Sequence, residues 1–317
     1  MSEIDKAAKT HLGQSGSYAV YTDKFDPSLL VRMPRAEARE MWNVDAAQFV
    51  GVDVWRAYES TFLLNNGLPV SGTLKIVCPA DSEYMVESKS LKLYLNTFDM
   101  CKMGDNLGSA IRKYKAAIAD DLTRLLGKEI KVGFFTEALQ YNVCPVFQRF
   151  QLVDLLAETD SADIFNDYSS KEDHLRFSIK SYAEKCNDSH VQGAYWGAQY
   201  ISTNLLRSRC RHTKQKDSGS AYLFARADRE ITPMSFLKQI VSMREINEFH
   251  EFCAEKIFSS TLTQAEKAGV QLTDLMIGCL YARRGGIDIN PIRATSWDLL
   301  FEGLLDPNTL CEKTIMQ

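Results

Sequence analysis

A chain of 317 residues is long enough for one large domain or two modules of ordinary size, and 45% apolar with 25% charged residues is the balance of a water-soluble globular protein. A net charge of −4 gives no general attraction for polyanions, so no direct nucleic-acid binding is expected. The eight cysteines, at 78, 101, 144, 186, 210, 253, 279 and 311, never fall in Cys-x-x-Cys spacing, which argues against a zinc knuckle or a secreted disulfide framework.

Residues 1–9 have no apolar core, so no signal peptide is expected, and no apolar run nears the roughly 20 residues of a membrane helix. A cytoplasmic protein away from membranes is the expectation. The first 50 residues hold few periodic signals and read as an extended arm around the first module. Residues 72–79 place Leu74, Ile76 and Cys78 on one face of a half-buried strand. Residues 106–126 predict a helix carrying Leu107, Ile111, Tyr114, Ile118, Leu122 and Leu125, stopped by Gly127. Ile130, Val132 and Phe134 then alternate as another strand.

The second half repeats the plan: a strand at 219–226, helices at 233–245 and 249–268, and a closing strand at 272–282. Strand, strand, helix, helix, strand occurring twice predicts two similar α+β modules, at 1–150 and 201–317. Between them 151–200 reads as a structured acidic crossover, with Glu158, Asp160, Asp163, Asp167, Glu172 and Asp173.

No Gly-x-Gly-x-x-Gly or P-loop pattern is present, and the five histidines (11, 174, 190, 212, 250) form no His-x-x-x-His pair, so no metal site is expected. Cys210 is the strongest chemical signal. Arg207, Arg209, Arg211, His212, Lys214 and Lys216 surround it in sequence, and Asp217 follows seven residues later. Nearby cations favour the nucleophilic thiolate, and a separate acid completes a minimal kit for covalent catalysis. The plainer alternative is a small buried thiol.

Three further clusters stand out. Val86-Glu87-Ser88-Lys89-Ser90 with Lys92 places hydroxyls and lysines at a helix start, an anion seat or a solvated amphipathic helix. Asn247-Glu248-Phe249-His250-Glu251 opens a helix with a His-Glu pair that could hold a nucleobase edge or simply cap and salt-bridge. Arg283-Arg284-Gly285-Gly286, running on to Arg293, combines guanidinium forks with glycines that let backbone approach a phosphate, or forms a basic turn.

Taken in order, Glu87-Ser88-Lys89-Ser90-Leu91-Lys92, Cys210 with Asp217, Asn247 to Glu251, and Arg283 to Pro291 resemble the NADPH-dependent 7-cyano-7-deazaguanine reductases, the nitrile reductases of queuosine biosynthesis, in their long two-module form. The resemblance runs from His11-Leu12-Gly13 to Arg293. It implies two tandem tunnelling-fold modules, each a four-stranded antiparallel sheet backed by two helices, assembling as a homodimer or larger homo-oligomer. It implies reduction of a nitrile to an amine with two NADPH through a cysteine thioimide. Cys210 would attack the nitrile carbon, Asp217 would donate protons, and His250 would orient the substrate. Val86, Glu87, Ser88, His250 and Glu251 would bind the deazaguanine. Ser88, Lys89, Ser90, Lys92, Arg283, Arg284 and Gly285 would hold NADPH.

One departure concerns the catalytic turn, where the family usually reads Gln-Pro-Asp and an aromatic residue. Here it is Gln215-Lys216-Asp217-Ser218, which loosens the turn and removes a packing wall. Two rivals use the same fold: an amidine-forming relative that transfers ammonia to the thioimide, and a non-catalytic purine-binding protein. The intact Glu87 to Lys92 cluster favours the reductase.

Overall fold

The computed structural model describes residues 24–136, 142–143, 149–154, 172–178, 197–211, 214–300 and 305–312. The His11 motif, His212 and most of the acidic crossover lie outside the described residues. Seven strands carry the architecture: β1 (Val50–Leu64), β2 (Pro69–Pro79), β3 (Lys131–Phe135), β4 (Gly197–Arg209), β5 (Lys216–Ala227), β6 (Leu272–Tyr281) and β7 (Ile287–Ala294). They form one sheet in the order β3-β2-β1-β7-β6-β5-β4, every neighbouring pair antiparallel. The two halves are therefore joined edge to edge, through eight aligned pairs from Ile287↔Ala57 to Ala294↔Val50.

Four helices pack on one face: α2 (Ser88–Asn96) and α3 (Leu107–Leu126) on the first half, α4 (Pro233–Ser242) and α5 (His250–Lys267) on the second. The α3 start is capped by Asn106, whose side chain accepts from the Ser109 amide, and Gly127 ends it at φ 73°. Its buried line is Ala110, Tyr114, Ile118, Leu122 and Leu126, so the expected stripe is rotated slightly; Leu107 is exposed. The opposite sheet face buries Tyr222, Phe224, Met276, Leu280 and Ile292 under Leu299, Leu300 and Leu305.

The expected extended arm is in part a helix. Arg32–Pro34 pairs with Tyr84–Val86, and α1 (Arg35–Trp42) follows at once. A buried ion network holds α1 to both halves. Arg35 reaches Asp53 on β1 (2.5 Å), and Arg39 forks onto Glu255 of α5 with both bonds at 2.8 Å. Arg293 on β7 spans Asp53 and Glu255 at 2.9 Å each. Burial works against ionising Asp53 and Glu255, yet the arginines keep both carboxyls below their usual range.

Candidate active site

The seam between the halves opens into a cleft of about 510 Å³. One wall is the start of α2, with Ser88, Lys89 and Lys92. The other is the β4–β5 turn, with Cys210 and Gln215 to Ser218. His250 heads α5 at its side, and Tyr281 to Arg284 close it from the β6–β7 turn. Trp55, Ile287 and Ile289 form an apolar floor where β1 meets β7. Every residue assigned to catalysis by resemblance thus meets three lysines and two arginines in one cleft.

Hairpin geometry brings Cys210 and Asp217 together. The Cys210 amide donates to the Gln215 carbonyl (2.9 Å), and the Lys214 amide donates to the Cys210 carbonyl (3.0 Å). Lys214 sits in the left-handed region at φ 55° to close the turn. Of the five described free cysteines, Cys78, Cys101, Cys253 and Cys279 are buried, while Cys210 is half-buried and lines the cleft. Burial pushes the Cys253 thiol up to about 11 and that of Cys279 well above its ordinary value, which leaves both protonated and inert. The cationic surroundings expected around Cys210 are narrower in space than in sequence. Strand alternation exposes Arg207 and Arg209 while burying Leu206 and Ser208. Arg211 donates to Glu37 on α1 (2.6 Å).

Asp217 is 5% exposed and lies opposite Ser208 across the hairpin. Its Oδ1 accepts from Arg284 Nη1 at 2.8 Å, and His250 Nε2 stands 3.6 Å away, beyond hydrogen-bonding distance. Its Oδ2 is buried and has no partner among the described residues. Burial favours the neutral acid, but His250 and Arg284 outweigh it and hold the pKa below the usual carboxylate value. The His250 ring stands edge-on to Tyr281, centroids 4.3 Å apart at 82°, which fixes its plane.

The basic side chains are mounted on specific supports. Gly285 and Gly286 both have positive φ, 56° and 76°, which makes the tight turn that presents Arg283 and Arg284. A Cβ on Gly285 would stand 3.3 Å from Lys92 Nζ, so the two halves touch here. Arg283 lies over the Tyr58 ring at 3.4 Å, and the Tyr58 hydroxyl donates to Asp288 (2.6 Å). Burial first, and then the charge of Arg284, lower the pKa of Lys92.

Five residues assigned to ligands by resemblance do not line the cleft, Gly285 of the basic turn among them. Val86 is buried in the first core, and Ser90 donates to the Glu87 carbonyl (2.7 Å) while accepting from the Val31 amide (3.0 Å). Glu87 caps α2, its carboxylate accepting from the Ser90 amide at 2.7 Å. Glu251 lies behind His250, 3% exposed, and takes no ion pair in the arginine network beside it. Burial, then the charge of Asp53, pushes its pKa up to about 7. Trp55, Gln215, Tyr281, Ile287 and Ile289 line the cleft without having been singled out from sequence. For Trp55 the available signal was indirect: Val50, Val52 and Val54 alternate as a strand, which puts Trp55 on its other face with Gly51 and Asp53.

Known proteins are similar to this chain in sequence. Residues 21–134 match the family model described as nitrile reductase, 7-cyano-7-deazaguanine-reductase N-terminal. The NADPH-dependent 7-cyano-7-deazaguanine reductase of Teredinibacter turnerae is 32% identical over 295 residues, 93% of each chain. The enzyme of the same name from Colwellia psychrerythraea is 31% identical, over 91% of this chain and 92% of its own. That of Desulfotalea psychrophila is 32% identical, over 88% and 91%. With similarity at this level along nearly its whole length, the chain belongs to the NADPH-dependent 7-cyano-7-deazaguanine reductase family.

Proposed function

We propose that this chain reduces the nitrile of 7-cyano-7-deazaguanine to a primary amine with NADPH, as an oxidoreductase of queuosine biosynthesis. The observation that carries the reading is the convergence of Cys210, Asp217 and His250 with Lys89, Lys92, Arg283 and Arg284 on one cleft between the halves. The relatives' names give the substrate and the cofactor.

In this reading the Cys210 sulfur adds to the nitrile carbon. An S–C bond forms, one π bond of the nitrile breaks, and the proton that leaves the Cys210 thiol passes to the nitrogen to give a thioimide N–H. The orphaned Oδ2 of Asp217 is a buried acceptor suited to that N–H, and Asp217 is the group that delivers protons to nitrogen as reduction proceeds. His250, held by Tyr281, orients the reacting group. Glu251 anchors the polar edge of the ring, with Glu87 of the other half once its carboxylate leaves the cap.

The cleft fits a dinucleotide phosphate: five cations from both halves border it, Lys216 among them, and the Gly285-Gly286 turn brings backbone close. Lys89, Lys92, Arg283 and Arg284 would hold the phosphates, with Ser88 and Gly285 beside them. Ser90 supports this wall by tying α2 to the Val31 amide. When bound, NADPH supplies the hydride, two molecules for each nitrile reduced to an amine.

The finer architecture is read as two tandem tunnelling-fold modules, 1–150 and 201–317, around the 151–200 crossover. Three features support this. Both halves begin strand, strand, helix, helix, strand, the second adding β7 to reach the expected four antiparallel strands while the first contributes three; the first strand of each has a register shift, at Ala57/Ser60 and Thr203/Leu206; and all four module helices share a face. Assembly as a homodimer or larger homo-oligomer belongs to the same reading. The test is to mix protein and nitrile and follow both the adduct mass and NADPH oxidation. Adduct plus oxidation is expected. Adduct with ammonia transfer and no oxidation would identify the amidine-forming rival, and no adduct would leave a binding protein.

A further inference from the structure

The ion pairs of this protein fall into two kinds. Arg56 grips Asp288 through Nε and Nη2, at 3.1 and 2.8 Å, and Arg39 grips Glu255 in the same two-pronged way. These are buried or nearly buried pairs that hold elements together. The pair at the cleft is different. Arg284 meets Asp217 through Nη1 alone, and its other hydrogen bond, 3.3 Å to the Lys216 carbonyl, uses the same nitrogen. Its side chain is 44% exposed. A guanidinium carries five N–H donors in a planar fork, so most of this one's hydrogen-bonding capacity faces the cleft rather than Asp217. Lys92 adds strain to the arrangement, because its ammonium and Arg284 repel each other. An anion lying between them relieves that repulsion and offers Arg284 the two-pronged partner that Asp217 does not.

Asp217 faces groups from every element around it. Ser208 is opposite on β4, the buried thiol of Cys253 and the His250 ring come from α5, Tyr281 lies on β6, Lys92 reaches in from α2, and Cys210 lies on its own hairpin. Burial keeps the Cys253 thiol and the Tyr281 phenol protonated. What holds Asp217 ionised against burial is therefore His250 and, beside it, Arg284.

We infer that Arg284 is a counter-ion latch on Asp217: it keeps the carboxylate ionised in the free protein and lets go when its fork engages the phosphates of the dinucleotide, so that Asp217 takes up its proton with the cofactor in place. This rests on the cofactor position proposed above. The device orders the chemistry. An ionised Asp217 is the better acceptor for a thioimide N–H while the adduct waits. A protonated Asp217 is required only when the nitrogen must gain its proton. Arg284 thus acts through Asp217 as a positioning residue as well as through the cofactor.

Linkage makes the latch measurable without turnover, because a site that gains proton affinity on binding must take up protons. NADP+ is titrated into the protein by calorimetry in buffers of differing ionisation enthalpy, from about pH 5 to about pH 8, which spans the range a released buried carboxyl titrates in. Wild type should take up protons on binding, up to about one per site, with affinity rising as pH falls by up to about tenfold per pH unit. The 2′-phosphate cannot mimic this, since cations favour its dianion and its binding releases protons. Arg284→Met should bind with uptake abolished, because Asp217 is then unlatched beforehand; Asp217→Asn should abolish it too. NADP+ binding without uptake overturns the latch alone. Uptake that survives in Asp217→Asn overturns it in favour of His250. Failure of wild type to bind NADP+ at all overturns the cofactor position and the latch with it.

Discussion

Replacing Glu251 with glutamine should make the protein more stable and a poorer binder of its ring substrate, with a stability gain that depends on pH. The carboxyl is 3% exposed. Burial, with Asp53 adding its charge, lifts the pKa from 4.5 to about 7, and Arg35 and His250 offset this only in part. A carboxyl whose folded pKa lies above its unfolded value leaves stability intact below the unfolded value and erodes it as pH rises through the folded one. At about 1.4 kcal/mol per pKa unit, the interval from 4.5 to about 7 corresponds to about 3 kcal/mol above that range. Glutamine keeps the shape and cannot ionise. Urea unfolding of Glu251→Gln should therefore match wild type near about pH 4 and exceed it by up to about 3 kcal/mol near about pH 9. Ring affinity, measured by titration on the Cys210→Ala background, should fall by about 1.5–3 kcal/mol, the contribution of a hydrogen bond to a charged group. A stability difference that is flat across this pH range, or an unchanged ring affinity, would refute the placement of Glu251. Such a residue would be one that the fold tolerates for the sake of the ligand.

Cys210→Ala should fold normally, form no adduct by mass and oxidise no NADPH; an active variant would remove the covalent step. Asp217→Asn should slow turnover by about 10²–10⁴-fold while the adduct still accumulates, and undiminished turnover would move the acid role to His250 or water. NADPH should be preferred to NADH by at least about two orders of magnitude, and Lys89→Ala should erode that preference, because charge-assisted bonds to the 2′-phosphate carry it. Steady-state kinetics with both cofactors decide this, and comparable use of NADH would contradict it. Arg293→Met should cost about 3–5 kcal/mol in urea unfolding at neutral pH, since it leaves Asp53 and Glu255 each short of a buried partner. Both carboxyls have depressed pKa values, so the stability they contribute is present above their unfolded values and lost as pH falls through the folded ones. The cost of Arg293→Met should shrink over that acidic window, and a cost unaffected by pH would count against the network.

Regular elements were legible in the sequence where apolar residues recur at a fixed spacing, and this found β2 although it is not the half-buried strand expected, since Lys75 and Val77 on its other face are buried as well. The spacing through α3 and the alternation of Leu74, Ile76 and Cys78 on β2 gave their elements directly. The strands at the seam were not legible, for the opposite reason. All eight residues of β7 are buried, yet Asp288, Asn290, Pro291 and Arg293 give it the composition of a loop. Those polar groups are compatible with a central strand because each has a partner across the seam: Arg56 for Asp288, the Val54 carbonyl for Asn290, and Asp53 and Glu255 for Arg293. Pro291 is tolerated because β6 pairs with β7 only from Ile292 onward, so the missing N–H falls outside that ladder. Long-range ion pairing cannot be read from a local window. The same blindness hid α1, whose Arg35 and Arg39 look solvent-facing in sequence and are bound in the network.

The site divides along similar lines. Nucleophile, acid and basic clusters were visible because each is a local cluster of chemistry, and the fold's contribution was to bring clusters from both halves to one seam. The apolar floor was not visible, because Trp55 and Ile289 become neighbours only when β1 and β7 pair. This bears on the unusual Lys216-Asp217-Ser218 turn. The aromatic wall expected after the acid is absent, but Trp55, Tyr281, Ile287 and Ile289 supply apolar surface around the same cleft from other strands. Lys216 also does something any residue could do in the missing proline's place, offering its carbonyl to Arg284 at 3.3 Å. What lysine adds is an amide N–H within the Arg209↔Lys216 pair at the very end of the hairpin ladder. The turn is therefore braced by strand pairing, the Cys210–Gln215 bond and Arg284, rather than by a proline ring, and Asp217 remains buried beside Cys210 without the family's usual local stiffening.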